Sequence, residues 1–198
     1  MASPHDQSRA TVPLSCPRIA PGLLAAHPYL HDDGSTALLT LRQAVCVIVH
    51  NPATSEVLTI HYANDSWARE PAYTVPGGKA ETTDLTLAHA AARELHEETG
   101  LVVDPEELRL VHTIQVRAGW DGKGPFLLSV FATTQWKGEP VNAEPKKHLA
   151  VAWSPITELP MPMFPTSYAA LVAYRDGGRG FSTYGWDQDA DIRALVRG

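Results

Sequence analysis

The stretch Arg93-Glu94-Leu95-His96-Glu97-Glu98-Thr99-Gly100 puts three carboxylates within five positions and stops at a glycine. Ala88, Ala91, Ala92, Leu95 and Thr99 recur at helical spacing, which predicts a helix over 85–99 with a narrow, small-residue face for close packing. Asp84 stands where a helix N-cap belongs, and Gly100 where a helix commonly ends in a left-handed residue. Successive helical residues rotate by about 100°, so Glu97 lies about 60° to one side of Glu94 and Glu98 about 40° to the other. The three acids therefore share one face.

Local energetics oppose that arrangement. Glu94 and Glu98 repel at i,i+4 by roughly 0.2–0.5 kcal/mol, and the C-terminal end of a helix disfavours negative charge. One reading is a solvated acidic face. The other is a site for a hard divalent cation, because Mg²⁺ and Mn²⁺ prefer carboxylate and water oxygens. Arg93 beside the cluster can orient one carboxylate. Upstream, Val75-Pro76-Gly77-Gly78 reads as a turn that glycine-rich sequence makes easily. A short loop holding Lys79 and Glu81 then leads to the helix, and a tight loop brings backbone carbonyls, also hard ligands, near the acids.

Taken together, Gly78, Glu81 and the run 93–101 resemble the Nudix box. That pattern reads Gly, five residues, Glu, seven residues, then Arg-Glu-apolar-any-Glu-Glu-any-Gly-apolar. The second half matches at every defined position. Fourteen residues separate Gly78 from Arg93, one more than the pattern has, and Asp84 is the acid in register with the glycine. The resemblance covers about residues 38–175. It implies an α/β Nudix fold, an α/β/α sandwich around a mixed β-sheet. It also implies Mg²⁺- or Mn²⁺-dependent hydrolysis of a pyrophosphate bond in a nucleoside diphosphate linked to another group. By the same resemblance Glu94, Glu97 and Glu98 are metal-binding carboxylates, the Gly78 carbonyl is a backbone ligand, and Arg93 orients Glu94. Glu94 and Glu98 are candidates for the base that takes a proton from water.

Working outward, residues 41–50 form an apolar, β-branched run that reads as a buried strand. Asn51-Pro52 starts a turn, and residues 56–62 alternate as the second strand of a hairpin. Residues 108–116 and 126–135 read as two further strands, and 149–153 as a short one. A second helix is expected over 163–175. Two helices covering opposite faces of one sheet make an α/β/α arrangement. Residues 1–36 carry five prolines and no stable periodicity, so they read as an N-terminal extension. Residues 37–176 read as the Nudix domain, and the glycine-rich, polar residues 177–198 as a tail.

The 198 residues are 44% hydrophobic, enough for a real core, and carry a formal charge of −6. A chain without basic surplus is poorly suited to a nucleic-acid polymer. Two cysteines are too few for a disulfide scaffold. Without a long apolar segment or a signal-peptide layout, a soluble cytoplasmic protein with no membrane partner is expected.

Around the box, Asn142-Ala143-Glu144-Pro145-Lys146, followed by Trp153 and by Leu159-Pro160, resembles a segment of MutT-type nucleoside triphosphatases. This implies a nucleoside triphosphate, with an ordinary or modified base, cut to monophosphate and pyrophosphate. Glu144 is a further candidate base or substrate contact, or a loop carboxylate that closes a turn. Lys79, Arg117 and Lys123 could meet phosphates. Tyr62, Trp67, Tyr73, Trp120 and Phe126 could stack on a base, or could serve as packing. The expected partner is a small nucleotide or another diphosphate. Nudix proteins often dimerise, so a homodimer is compatible with the resemblance. Isoprenoid diphosphates, nucleotide sugars and ADP-ribose are alternative substrates. A non-catalytic Nudix nucleotide sensor is the alternative of another class, but such modules usually lose box carboxylates, and this chain keeps all three.

Overall fold

A computed structural model describes residues 42–63, 70–117, 125–177 and 180–185. Among these, eight strands and two α-helices follow in the order β1 (Arg42–Asn51), β2 (Glu56–Tyr62), β3 (Ala72–Thr74), β4 (Gly77–Lys79), α1 (Leu87–Thr99), β5 (Arg109–Val116), β6 (Phe126–Thr133), β7 (His148–Pro155), α2 (Pro165–Arg175) and β8 (Gly180–Tyr184). A 3₁₀ turn at Pro105–Glu107 joins α1 to β5.

β1 is the spine of the sheet because its run of buried side chains feeds both faces. Val45, Val47 and Val49 pack with Ala90, Ala91 and Leu95 of α1. Ala44, Cys46 and Ile48 pack with Ala170 and Leu171 of α2. Period-two alternation on a strand thus yields two cores, one under each helix. The main strand path is β3-β2-β1-β6-β5-β8, with β4 on β1 and β7 on β2. β1 runs parallel to β6 and β5 parallel to β8. The other pairings are antiparallel, so the sheet is mixed. The α/β/α arrangement around a mixed sheet expected from the sequence is the arrangement seen.

Several local expectations change. Helix α1 starts at Leu87, and its N-cap is Thr86, whose hydroxyl accepts the His89 N–H. Asp84 is not the cap. Its carboxylate instead accepts the Glu81 N–H and the Arg93 guanidinium. Gly100 does end the helix, at φ 73°. The buried face of α1 is Ala90, Ala91, Leu95, Glu98 and Thr99, while Ala88 and Ala92 pack at its margin. Gly77 and Gly78 do not form a free turn. They belong to β4, paired with Cys46 and Val45 of β1. The residues after 177 contribute β8, which the glycine-rich composition had hidden. Helix α2 begins two residues later than expected, at Pro165, which suits the first helical position because its missing N–H is not needed there.

Candidate active site

Helix α1 lays its core stripe along β1, and Leu95 anchors that stripe with no exposed surface. Glu98 lies one turn on from Leu95 along the same stripe, so the packing that buries Leu95 also draws in an acid. Glu98 is only 8% exposed. Its Oε2 accepts the Gly77 N–H at 2.8 Å, which ties the helix to β4. Burial is the main cause that raises its pKa to about 8, and the neighbouring Glu94 and Glu144 carboxylates add to the rise.

Glu94 sits on the same side, over Gly78. A methyl group on Gly78 would overlap the Glu94 carboxylate, so a side chain here would push that carboxylate out of its present position. Burial raises the Glu94 pKa, against the opposing hydrogen bond from Arg93. Glu97 points more toward water, its side chain about half exposed at 51%. The three acids therefore do share a face, but in a graded series from buried Glu98 to exposed Glu97.

Arg93 organises the cluster. Its Nε and Nη2 donate to the two oxygens of Asp84 at 3.1 and 3.0 Å. Nη1 donates to Glu94 at 2.9 Å and Glu97 at 3.2 Å, and Nη2 also donates to the Lys79 carbonyl at 3.0 Å. A planar fork that engages a carboxylate at two points holds one orientation. The pairing pushes the Asp84 carboxyl below its ordinary value, with the Arg93 hydrogen bond as the largest cause. Asp84 thus fixes Arg93, and Arg93 fixes Glu94, across the extra residue in the loop.

The far side of the site comes from the loop before β7. The last carbonyls of a helix lack intrahelical donors. Here the Val141 N–H donates to the Thr99 carbonyl at 2.9 Å and the Ala143 N–H to the Glu98 carbonyl at 3.2 Å. That clamp delivers Glu144 and His148 to Glu98. One ligand-type atom from each of the three lies within 4.8 Å of the other two. The Lys147 ammonium donates to Glu144 at 2.6 Å, and this bond is the main cause that raises its pKa. Glu144 also closes the turn, since its carbonyl accepts the N–H groups of Lys147 and His148. The turn-closing reading of Glu144 therefore holds, and its carboxylate also faces Glu98 and His148.

Arg93, the acids of α1 and Lys147 border a cavity of about 600 Å³. Glu94, Glu97, Glu98, Lys79 and Lys147 edge one side, and Cys46, Val116, Phe126, Leu128, Phe164 and Tyr184 give it apolar wall. Of the residues expected at the site from sequence, Lys79, Tyr62, Phe126 and Gly78 line this cavity. Tyr73 does not. Its register on β2 stacks it against His61, with centroids 4.4 Å apart. Arg117 is exposed at the end of β5, and its N–H donates to the Tyr184 carbonyl rather than its side chain lining the cavity. Trp67, Trp120 and Lys123 lie outside the described residues. Sequence reading assigned no role to Lys147 or His148. The spacing of Glu144 and His148, four residues apart with Pro145 between, was the available signal.

The donor set is chemically coherent. Buried and half-buried carboxylates with raised pKa values, crowded on one turn, are the environment a hard divalent cation relieves. Carboxylate oxygens of Glu94, Glu97, Glu98 and Glu144 fit Mg²⁺ or Mn²⁺ by type.

Comparison with known proteins places this geometry. A family model described as NUDIX domain matches residues 40–174. No curated protein matches the chain by sequence. Among solved structures, the MutT NUDIX hydrolase of Burkholderia pseudomallei superposes with TM-score 0.58 at 21% identity, covering 67% of this chain and 97% of the other. The MutT protein of Bacillus halodurans gives TM-score 0.58 at 23% identity, covering 73% and 90%. The ORF135 protein of E. coli gives 0.55 at 21%, covering 69% and 90%. At these identities the likeness is one of fold.

Proposed function

The chain belongs to the NUDIX family, hydrolases that act on nucleoside diphosphate derivatives, and on that premise we propose that it cuts a pyrophosphate bond with the help of Mg²⁺ or Mn²⁺. The observation that carries this reading is the convergence of Glu94, Glu97 and Glu98 on one cavity, with the Glu144 carboxylate set against Glu98 behind them. Glu94, Glu97, Glu98 and the Gly78 carbonyl would hold the metal. Bound divalent ions would neutralise phosphate charge, hold the phosphoryl group in line and acidify a water.

The protein's own groups then have separable tasks. Asp84 and Arg93 keep Glu94 in one rotamer. The Gly77 N–H holds Glu98 against β4. Glu144, paired with Lys147 and set apart from the Arg93 network, is the carboxylate placed to accept a proton from water without giving up a helix contact. Lys79 and Lys147 are the cations available to phosphate oxygens at the cavity edge. Tyr62, Phe126 and Phe164 offer apolar ring surface to the rest of the substrate.

For the substrate we propose a nucleoside triphosphate converted to the monophosphate and pyrophosphate. The support is the loop 142–147, whose resemblance to MutT-type enzymes falls on the residues clamped against the end of α1. A second reading, an isoprenoid diphosphate, is favoured by the apolar wall of Cys46, Val116 and Leu128. A panel of nucleoside triphosphates, nucleotide sugars, ADP-ribose and isoprenoid diphosphates, assayed with Mg²⁺ or Mn²⁺ and resolved by product mass, decides between them. Turnover of only the isoprenoid diphosphates would replace the first reading. Turnover of nothing in the panel, in wild type and Glu98→Gln alike, would leave a nucleotide-binding module.

A further inference from the structure

The side chain of His148 has no exposed surface, and neither ring nitrogen has a hydrogen-bond partner among the described residues. A buried imidazole with both nitrogens bare is costly, because an unmet polar atom forfeits its water without replacement. Its position is not accidental slack. His148 opens β7 opposite Tyr62, whose ring meets it edge to face at 5.3 Å. Its N–H donates to the Glu144 carbonyl, and its own carbonyl accepts the Asn142 side chain at 2.8 Å. The backbone is fixed at both ends of the residue, so the ring is held facing the acids.

The ring nitrogen Nε2 stands 3.6 Å from Oε1 of Glu98, the carboxylate oxygen not engaged by Gly77. That is too long for a good hydrogen bond. It falls within the range of about 3 to 4.2 Å that separates two donor atoms on a single ion with bonds near 2.1 Å. Glu144 contributes a third donor, all three within 4.8 Å of one another. The His148 and Glu98 atoms thus already stand where one cation could take both, with Glu144 beside it.

We infer that His148 is a nitrogen ligand of the divalent ion at this site, so that the centre is mixed oxygen and nitrogen rather than all oxygen. This rests on the reading of the site as a metal centre. Its consequence is selectivity. Imidazole is a borderline donor that suits transition ions, whereas Mg²⁺ keeps to oxygen and water. The chain therefore favours Mn²⁺ and its neighbours over Mg²⁺ more strongly than its carboxylates alone would. In the ligating form the proton sits on Nδ1 and the lone pair on Nε2 faces Glu98.

The test is electron spin-echo spectroscopy of the full chain loaded with Mn²⁺. Wild type should show the modulation of a directly bound ¹⁴N nucleus, changing to the ¹⁵N pattern when histidine is ¹⁵N-labelled. His148→Gln and His148→Asn should each lose it. Both variants should bind Mn²⁺ roughly tenfold more weakly while Mg²⁺ binding changes far less. Mn²⁺ bound in wild type without histidine modulation, or modulation that survives in a folded variant, overturns the nitrogen ligand and leaves the carboxylate centre standing. Failure of wild type to bind Mn²⁺ at all, with Glu98→Gln no different, overturns the metal centre and this inference together.

Discussion

The two helices of this fold obey opposite electrostatic rules. α2 starts on Pro165 and ends on Arg175, a cation where the helix dipole favours one. It buries Ser167, Ala170 and Leu171, small or apolar groups with nothing left unpaired by charge. α1 ends on Glu97-Glu98-Thr99, anions where the dipole disfavours them. It buries Glu98 on the stripe that also carries Ala91 and Leu95. Each helix covers its own face of the same sheet, with cores of similar kind. The difference teaches that α2 is arranged for stability alone, while α1 gives up stability at its C-terminal turn to concentrate carboxylates against β4.

The sharpest way to test that division is to remove its most unusual member. Glu98→Gln preserves shape, and the amide oxygen can still accept the Gly77 N–H. Turnover should fall by roughly a hundredfold or more, the upper end of losses seen when even indirect metal partners are removed. The apo protein should melt no lower than wild type, because the amide keeps the shape and the packing and removes the cost of ionising a buried acid as pH rises. Turnover and apo melting measured on the same preparation check both halves. A large destabilisation would mean that Glu98 is structural and that α1 is not the exception argued here.

The reverse experiment falls on α2. Leu171 is fully buried, and Leu171→Ala should cost about 2–5 kcal/mol of unfolding free energy through lost contacts and the cavity left behind. Urea unfolding reads the loss. Its effect on turnover per folded molecule should be small beside that of Glu98→Gln. If instead activity collapses while stability holds, the two helices do not divide labour as proposed.

This division was partly legible in the sequence. Helical periodicity and the acid spacing located α1, and the apolar runs located β1, β2, β5, β6 and β7 to within a few residues. What failed was long-range. Asp84 has the chemistry of a cap, but Arg93, nine residues on, captures it, and Thr86 takes the cap. Gly77 and Gly78 have low strand propensity, yet their pairing with β1 makes them strand, since tertiary pairing overrides propensity. Tyr73 is turned to His61 by the register of β3 on β2, which no local pattern encodes. His148 lies one residue before the strand expected at 149–153, and its pairing with Tyr62 extends that strand and buries it.

Acidity offers a finer test of the burden on α1. The pKa of Glu98 is raised in the fold to about 8 from an ordinary 4.5. A group with a raised folded pKa binds its proton more tightly folded than unfolded. Its contribution to stability is therefore complete below about 4.5 and is lost as pH rises through about 8. Apo protein should accordingly lose melting temperature between those two values. Glu98→Gln should flatten that decline, whereas Leu171→Ala should shift the whole curve down without changing its slope. Asp84 works in the opposite sense, since its pKa is lowered. Its contribution is present above the ordinary carboxylate range and fades only in stronger acid, outside the window assigned to Glu98. A wild-type curve that rises toward pH 8 in the absence of metal would contradict the burial of Glu98.

The smallest effect belongs to the helix starts. α1 is capped by the Thr86 hydroxyl, at 3.3 Å from the His89 N–H and 2.9 Å from the His89 ring. α2 has Phe164 as its N-cap residue, with no side-chain cap among the described residues, and relies on Pro165 and packing. Thr86→Ala should cost about 0.5–1 kcal/mol, the lower half of the range for lost caps, because the site is exposed. It should appear as a lower urea midpoint with an unchanged slope. Thr86 lies two turns before Glu94, so Mn²⁺ affinity should not move. A cost above about 2 kcal/mol, or weakened Mn²⁺ binding, would mean that the acid turn depends on how the helix begins. The packing of Ala90, Ala91 and Leu95 on β1 would then not be enough to hold the carboxylates in place.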